Sequence, residues 1–316
     1  MKLNKNYTDF PKHFYAPQEV EVDDRTYNKF LVRFDNLFEI YDFLKGNYVI
    51  NRNIFHELSS ETGEYKFAGI PYEDAVEDLI NFNEDGYTDF LNLVKELANV
   101  KAGEIHEYEL QKTLAGGHLN IPAYSVGSPL CYETYRKVKR PKYVSIHASL
   151  SYPWYTNKKQ VLNRALILVS IINALERNGY EVNLNTFELS DEYKELLNIV
   201  VNVKQYGRKT NLQTLYKTNC HVEFLRRILF RILEATSVTC DWADGYGHTC
   251  SEIFARKVLN IGKDDIYFGT PDDLGIEGKD LSKDFNSCLE TLNLNNKFNV
   301  REISDEFKEK AKRLIK

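Results

Sequence analysis

Between residues 142 and 189 the chain alternates in a way that few folds accommodate. "KYVSIH" (142–147) steps polar and apolar with a period of two, as a half-buried strand does. "NKKQVLNRALILVSIINALERNGY" (157–180) then runs as one long helix that stops at Gly179. Its apolar residues at 161, 162, 165, 166, 168, 169, 171, 172 and 175 surround nearly the whole helix. Such a helix is buried on more than one side, as when it covers a sheet inside a larger domain. "EVNLNTFEL" (181–189) follows as a second strand.

The same rhythm continues. "NIVVNVKQY" reads as a third strand, "HVEFLRRILFRILEA" as a helix over 221–235, "DDIYFGT" as a fourth strand and "SKDFNSCLETLNL" as a helix over 282–292. Strand–helix–strand alternation predicts an α/β fold with a mostly parallel sheet flanked by helices on both faces. This core is expected over residues 142–294. Residues 1–25 read as a polar N-terminal arm. Residues 26–115 read as an α+β module built from the strand "NKFLVRF", a helix after Asp35, helices near 71–82 and 87–100, and the strand "EIHEYELQK". Gly116, Gly117, Pro122, Gly127 and Pro129 punctuate a connector over 116–141, with Leu119, Ile121 and Val126 expected to anchor it on its neighbours. Residues 295–316 read as a charged C-terminal helix capped by Ser304.

Composition narrows the function classes. A net charge of −5 argues against a protein that coats nucleic acid through bulk electrostatics, although a local basic face stays open. The five cysteines match no disulfide framework, no window reaches the length of a membrane span, and "MKLNKNYTDF" lacks a signal-peptide core. A cytoplasmic protein with no membrane partner is expected. There is no G-x-S-x-G elbow, no P-loop and no dinucleotide fingerprint, so no catalytic residue and no cofactor is assigned.

In an open α/β sheet, ligands meet the carboxyl ends of the strands. The loop "HASLS" stands at that end of the first core strand, and it offers His147, Ser149 and Ser151. The strand into x-x-Ser-x-Ser, the long helix ending in "NGY" and the strand "EVNLNTFEL" together resemble the von Willebrand factor A-like fold. In that family an Asp-x-Ser-x-Ser loop helps hold Mg²⁺. Ser149 and Ser151 match its serines, but His147 stands where the acid belongs. A hard cation prefers oxygen donors and imidazole replaces carboxylate poorly, so the loop is expected to keep the shape of the site without the ion. Asp241 and Asp244 in "CDWADGYG" are candidate acids of the same face; the alternative is a Gly-rich turn bonding its own backbone. A wider set of segments, "RFDNLFEIYDFL", "FAGIPYEDAVEDLINF", "GGHLNIPAYSVGSPLCY", "ALERNGYEVNL", "FLRRILF" and "DGYG", resembles bacteriophage-encoded proteins of undetermined role with a degenerate core of this kind. The resemblance implies residence in the cytoplasm of a host bacterium. It implies a non-catalytic interaction protein that binds a phage or host protein through His147, Ser149, Ser151, Asp241 and Asp244.

Three other constellations stay open. Cys220, His221, Cys240, His248 and Cys250 have the chemistry of a zinc site but not the short spacing of a zinc knuckle. Glu223, Arg227, Arg231 and Glu234 read as a self-paired salt-bridge stripe along one helix face. Arg136, Lys137, Lys139 and Arg140, flanked by Tyr135 and Tyr143, offer charge with stacking, which makes an RNA- or single-strand-binding module the alternative function.

Overall fold

Only two residues separate strand β8 (Tyr180–Glu192) from β9 (Glu195–Lys204), and that short link decides the sheet. A parallel crossover needs a dozen residues or more, so the two strands close an antiparallel hairpin. The computed structural model describes residues 13–45, 70–81, 84–97, 101–102, 107–138, 142–153, 155–192, 194–236, 249–294 and 298–299. Within them β1 (Phe14–Val22), β2 (Arg25–Phe34), β7 (Lys142–Ser149) and β10 (Ile266–Phe268) join the hairpin in one six-stranded sheet ordered β1-β2-β9-β8-β7-β10. β7 pairs parallel with both β8 and β10, and β2 parallel with β9, while β1–β2 and β8–β9 are antiparallel. The fold is α/β with a mixed sheet flanked by helices; the mostly parallel sheet is corrected by the β8–β9 and β1–β2 hairpins.

Helix α5 (Lys158–Arg177) spans the sheet where the periodicity puts it. It starts in a capping box: Asn157 accepts from the Gln160 amide and Gln160 accepts from the Asn157 amide. Leu162, Leu166, Ile167 and Leu168 pack into one cluster with Val144, Ile146, Ala148, Val182 and Leu184. Helices α3 (Glu84–Leu97), α6 (Leu212–Asn219) and α9 (Leu281–Thr291) contribute to that cluster. On the same face, α1 (Leu37–Lys45), α2 (Tyr72–Asp78) and the turn leading into α7 (Phe230–Thr236) close a second cluster over β2 and β9, and Val161 of α5 joins it. Strand alternation sends Phe187, Leu189 and Tyr267 to the opposite face, under α8 (Glu252–Leu259).

The segments assigned to an N-terminal arm and module therefore supply β1 and β2, hydrogen-bonded into the same sheet as the core. The 221–235 helix forms with a π-turn over Phe224–Leu229. Its extra residue per turn rotates the arginines inward. Arg226 and Arg227 are buried and donate to the carbonyls of Tyr152 (2.8 Å) and Ile70 (2.9 Å), and Glu223 pairs with His221; the side chain of Glu234, the far end of the expected salt-bridge stripe, lies outside the described residues. Residues 300–316 of the C-terminal helix lie outside the described residues. Within 295–299, Phe298–Asn299 form a short strand, β11, against β3 (Lys101–Ala102).

A separate three-stranded antiparallel sheet, ordered β4-β6-β5, is made by β4 (Glu107–Thr113), β5 (His118–Leu119) and β6 (Tyr132–Val138). The short helix α4 (Ile121–Ser125) closes it. We call this unit the wing.

Candidate functional site

At the carboxyl ends of β7 and β10, where a ligand of an open sheet is expected, the chain places its own cation. Arg164 of α5 is fully buried. Its Nε donates to the Gly269 carbonyl at 2.7 Å, and its Nη2 to the carbonyls of Ser149 (2.7 Å) and Phe268 (3.0 Å). Its Nη1 donates to the Tyr152 hydroxyl (3.2 Å) and to Asn219 Oδ1 (3.4 Å). A guanidinium has five N–H donors, and these five bonds use them all. None of the acceptors is a carboxylate. Carbonyl dipoles and the faces of Phe268 and Tyr152, with the guanidinium 4.8 and 5.5 Å from the ring centroids, compensate the charge.

The two serines of the loop are committed inward as well. The Ser151 hydroxyl donates to Glu188 Oε2 at 2.6 Å, and the Ser149 hydroxyl accepts from the Ser151 amide at 3.3 Å. Both side chains are buried. Glu188 lies on β8 beneath the same helices, and burial pushes its carboxyl up to about 7, against the Ser151 hydrogen bond and the Arg226 charge. His147 is half-buried beside Asn185 and Tyr267 in register. Burial lowers its pKa, opposed by Asp265 and assisted by Arg256, which favours the neutral imidazole. Asp241 and Asp244 lie outside the described residues.

The cysteine and histidine set is not gathered by the described residues. Cys220 packs against the cluster under α5, whereas Cys250 packs against the cluster under α8, on the other face of the sheet. Burial holds the Cys220 thiol well above its usual range, and His221 Nδ1 faces Glu223 at 2.9 Å. Cys240 and His248 are outside the described residues. Among the described residues, no group of three or more His, Cys, Asp or Glu is placed to hold a metal ion.

What the sequence reading missed is the wing. Its apolar side chains do not anchor it on the body: Ile121 is 70% and Val126 81% exposed, and Leu119 stands out too. The anchored connector is corrected accordingly. The wing holds itself together. The Asn120 amide donates to the Cys131 carbonyl at 2.7 Å, Asn120 Oδ1 accepts from the Ala123 amide at 2.9 Å to cap α4, and the Asn120 carboxamide reaches Glu133. Gly117, at φ +72°, lies so close to the Glu133 carbonyl that a Cβ would sit 2.1 Å from its oxygen, so only glycine fits. Eight of the fourteen large apolar or aromatic side chains exposed among the described residues lie within 110–135. A soluble protein rarely shows so dense a patch unless something covers it. The signal in the sequence was apolar residues set singly between Gly and Pro, without a strand or helix period to give them an inner face.

Of the alternative nucleic-acid residues, Arg136 and Lys137 fall on β6, while Lys139 and Arg140 lie outside the described residues. Among the described residues, no helix is long and apolar enough to cross a membrane. No curated protein and no solved structure matches the chain. A domain family of unknown function, DUF7192, matches residues 15–296, which include the wing and all of the six-stranded sheet but Phe14, and the chain belongs to that family.

Proposed function

We propose that the chain is a non-catalytic interaction protein and that the wing is the surface that grips its partner. One observation carries this reading: exposed apolar side chains concentrate on a unit whose hydrogen bonds and principal contacts, among the described residues, lie within itself. The loop His147–Ser149–Ser151 serves the fold instead, because its serines are buried and bonded. The likeness to a von Willebrand factor A-like core stays part of the proposal, supported by the succession of β7, the Ser-x-Ser loop, α5 and a parallel β8. The bacteriophage resemblance would make the partner a phage or host protein, met in the bacterial cytoplasm. A second reading, single-stranded nucleic acid on the basic segment, draws support from Tyr135 and Tyr143, which both stand exposed at its ends.

The test is affinity capture with the intact chain and with Leu110→Ser/Ile121→Ser/Tyr124→Ser/Val126→Ser. The reading expects a partner recovered by the wild type and lost with the variant. Equal recovery by both, or catalytic turnover with no wing-dependent partner, refutes it. Binding of single-stranded RNA that Lys137→Glu/Lys139→Glu/Arg140→Glu abolishes would favour the second reading.

A further inference from the structure

Exposed strand edges are templates for pairing, and folded proteins blunt them with bulges, prolines, short strands or covering segments. The described sheets show those devices at every edge but one. β1 carries Pro17 and a bulge between Tyr15 and Gln18. β10 has three residues, β3 and β11 two each. β5 has two and runs straight into Ile121-Pro122. β4 is different. It is seven residues long, contains no proline or glycine, and pairs with β6 in unbroken register from Glu107↔Val138 to Thr113↔Tyr132. Among the described residues, no strand lies beside its other edge.

The geometry points to β4 of a second copy of this chain as the occupant of that edge, in an antiparallel pair around a two-fold axis at Leu110. This deepens the proposed function and rests on it, since it names the partner of the wing. The sequence of β4 suits pairing with itself. A two-fold at Leu110 sets Glu107 opposite Thr113, Tyr108 opposite Lys112 and Glu109 opposite Gln111. No like charges stand directly opposite each other, which is the condition an isologous edge must satisfy. The apolar positions also align. Leu110 is paired in register with Tyr135 of β6, and the two are 48% and 65% exposed. Joining two copies runs Tyr135–Leu110–Leu110–Tyr135 across four neighbouring strands on one face. Such cross-strand apolar rows are the units that stabilise a sheet. The result is a continuous six-stranded sheet, β5-β6-β4-β4-β6-β5, whose outer ends are the blunted β5 strands.

Sedimentation velocity of the full chain over a wide concentration range tests this directly. The wild type is expected to pass from the 36.8 kDa monomer to a dimer. Leu110→Lys, which brings two like charges together on the axis, should weaken the dimer at least about tenfold. Because Leu110 is half exposed, the variant should keep the wild-type circular dichroism and melting temperature. A second variant fixes the register: oxidised Leu110→Cys should form a covalent dimer, whereas Lys112→Cys, which faces Tyr108 rather than itself, should not. A wild type that is monomeric at every concentration overturns the inference, as does equal cross-linking at residues 110 and 112. If the monomer captures a different protein through the wing, the pairing falls and the interaction reading stands. If neither self-association nor wing-dependent capture is found, both fall.

Discussion

Replacing Arg164 with Met removes the guanidinium while keeping an unbranched apolar side chain in the same space. Three of the five acceptors are main-chain carbonyls, of Ser149, Phe268 and Gly269, and no mutation can remove them. A buried acceptor left without a donor costs about 1–3 kcal/mol. Relief of the guanidinium's own desolvation offsets part of this, but that relief is large only when both partners of a buried polar pair are replaced together. Tyr152 and Asn219 can turn toward other neighbours; Asn219 already donates to Thr218 at 2.8 Å. The net loss should be about 3–5 kcal/mol, set mainly by the carbonyls. At about 2–4 °C per kcal/mol for a domain of this size, Tm should fall by at least about 6 °C. Arg164→Lys supplies three donors instead of five and should fall between wild type and Met. Differential scanning calorimetry at pH 7 reads both. A Tm for Arg164→Met within about 2 °C of wild type would refute the reasoning, because the strand ends would then be held by something else.

Glu188 should make stability depend on pH. Its folded pKa of about 7 lies above the ordinary value, so the folded state binds its proton more tightly than the unfolded chain. The stability it contributes is fully present below the ordinary carboxyl range and is lost as pH rises through about 7. Glu188→Gln should remove that slope, so that the variant gains on wild type by about 2–3 kcal/mol between pH 5 and pH 8; urea titrations that show equal slopes would contradict it. Millimolar Mg²⁺ should leave the melting temperature of the wild type unchanged, since Ser151 is held by Glu188 and a guanidinium sits at the strand ends; a saturable rise lost in Ser149→Ala would contradict this. Gly117→Ala should disorder the wing without unfolding the body, because a Cβ there meets the Glu133 carbonyl; amide exchange should quicken over 107–138 and stay slow in α5, and uniform change across the chain would count against it.

The central architecture was legible because periodicity and burial agree. α5 could be read from its apolar circumference, and β2, β7, β8 and β10 from short strand-like runs. The direction of β9 was legible too, but only by counting residues: the link after β8 is too short for a crossover, whatever the hydrophobic pattern suggests. The Ser-x-Ser loop drew attention to the right place and the wrong chemistry. A ligand set was sought among exposed oxygens, while the cation came from Arg164, sixteen positions into the chain from Ala148. The clue was present as a lone charge in the middle of a helix that is apolar on all sides, which a buried site must satisfy. The π-turn left no such clue, since its one inserted residue shifts the phase of the helix without a residue type that marks it. The wing was hidden for the opposite reason. Apolar residues such as Ile121 and Val126 read as anchors, and sequence alone does not distinguish a residue that packs inward from one kept for a partner.

Hydrogen–deuterium exchange of the intact wild type, followed as its concentration rises, bears most directly on the wing as a docking surface. Pairing of β4 with a second copy predicts slowed exchange confined to the amides of residues 107–113, absent in Leu110→Lys at the same concentration. Unchanged exchange along β4 at all concentrations, with protection arising instead on the main sheet or its helices, would contradict the account.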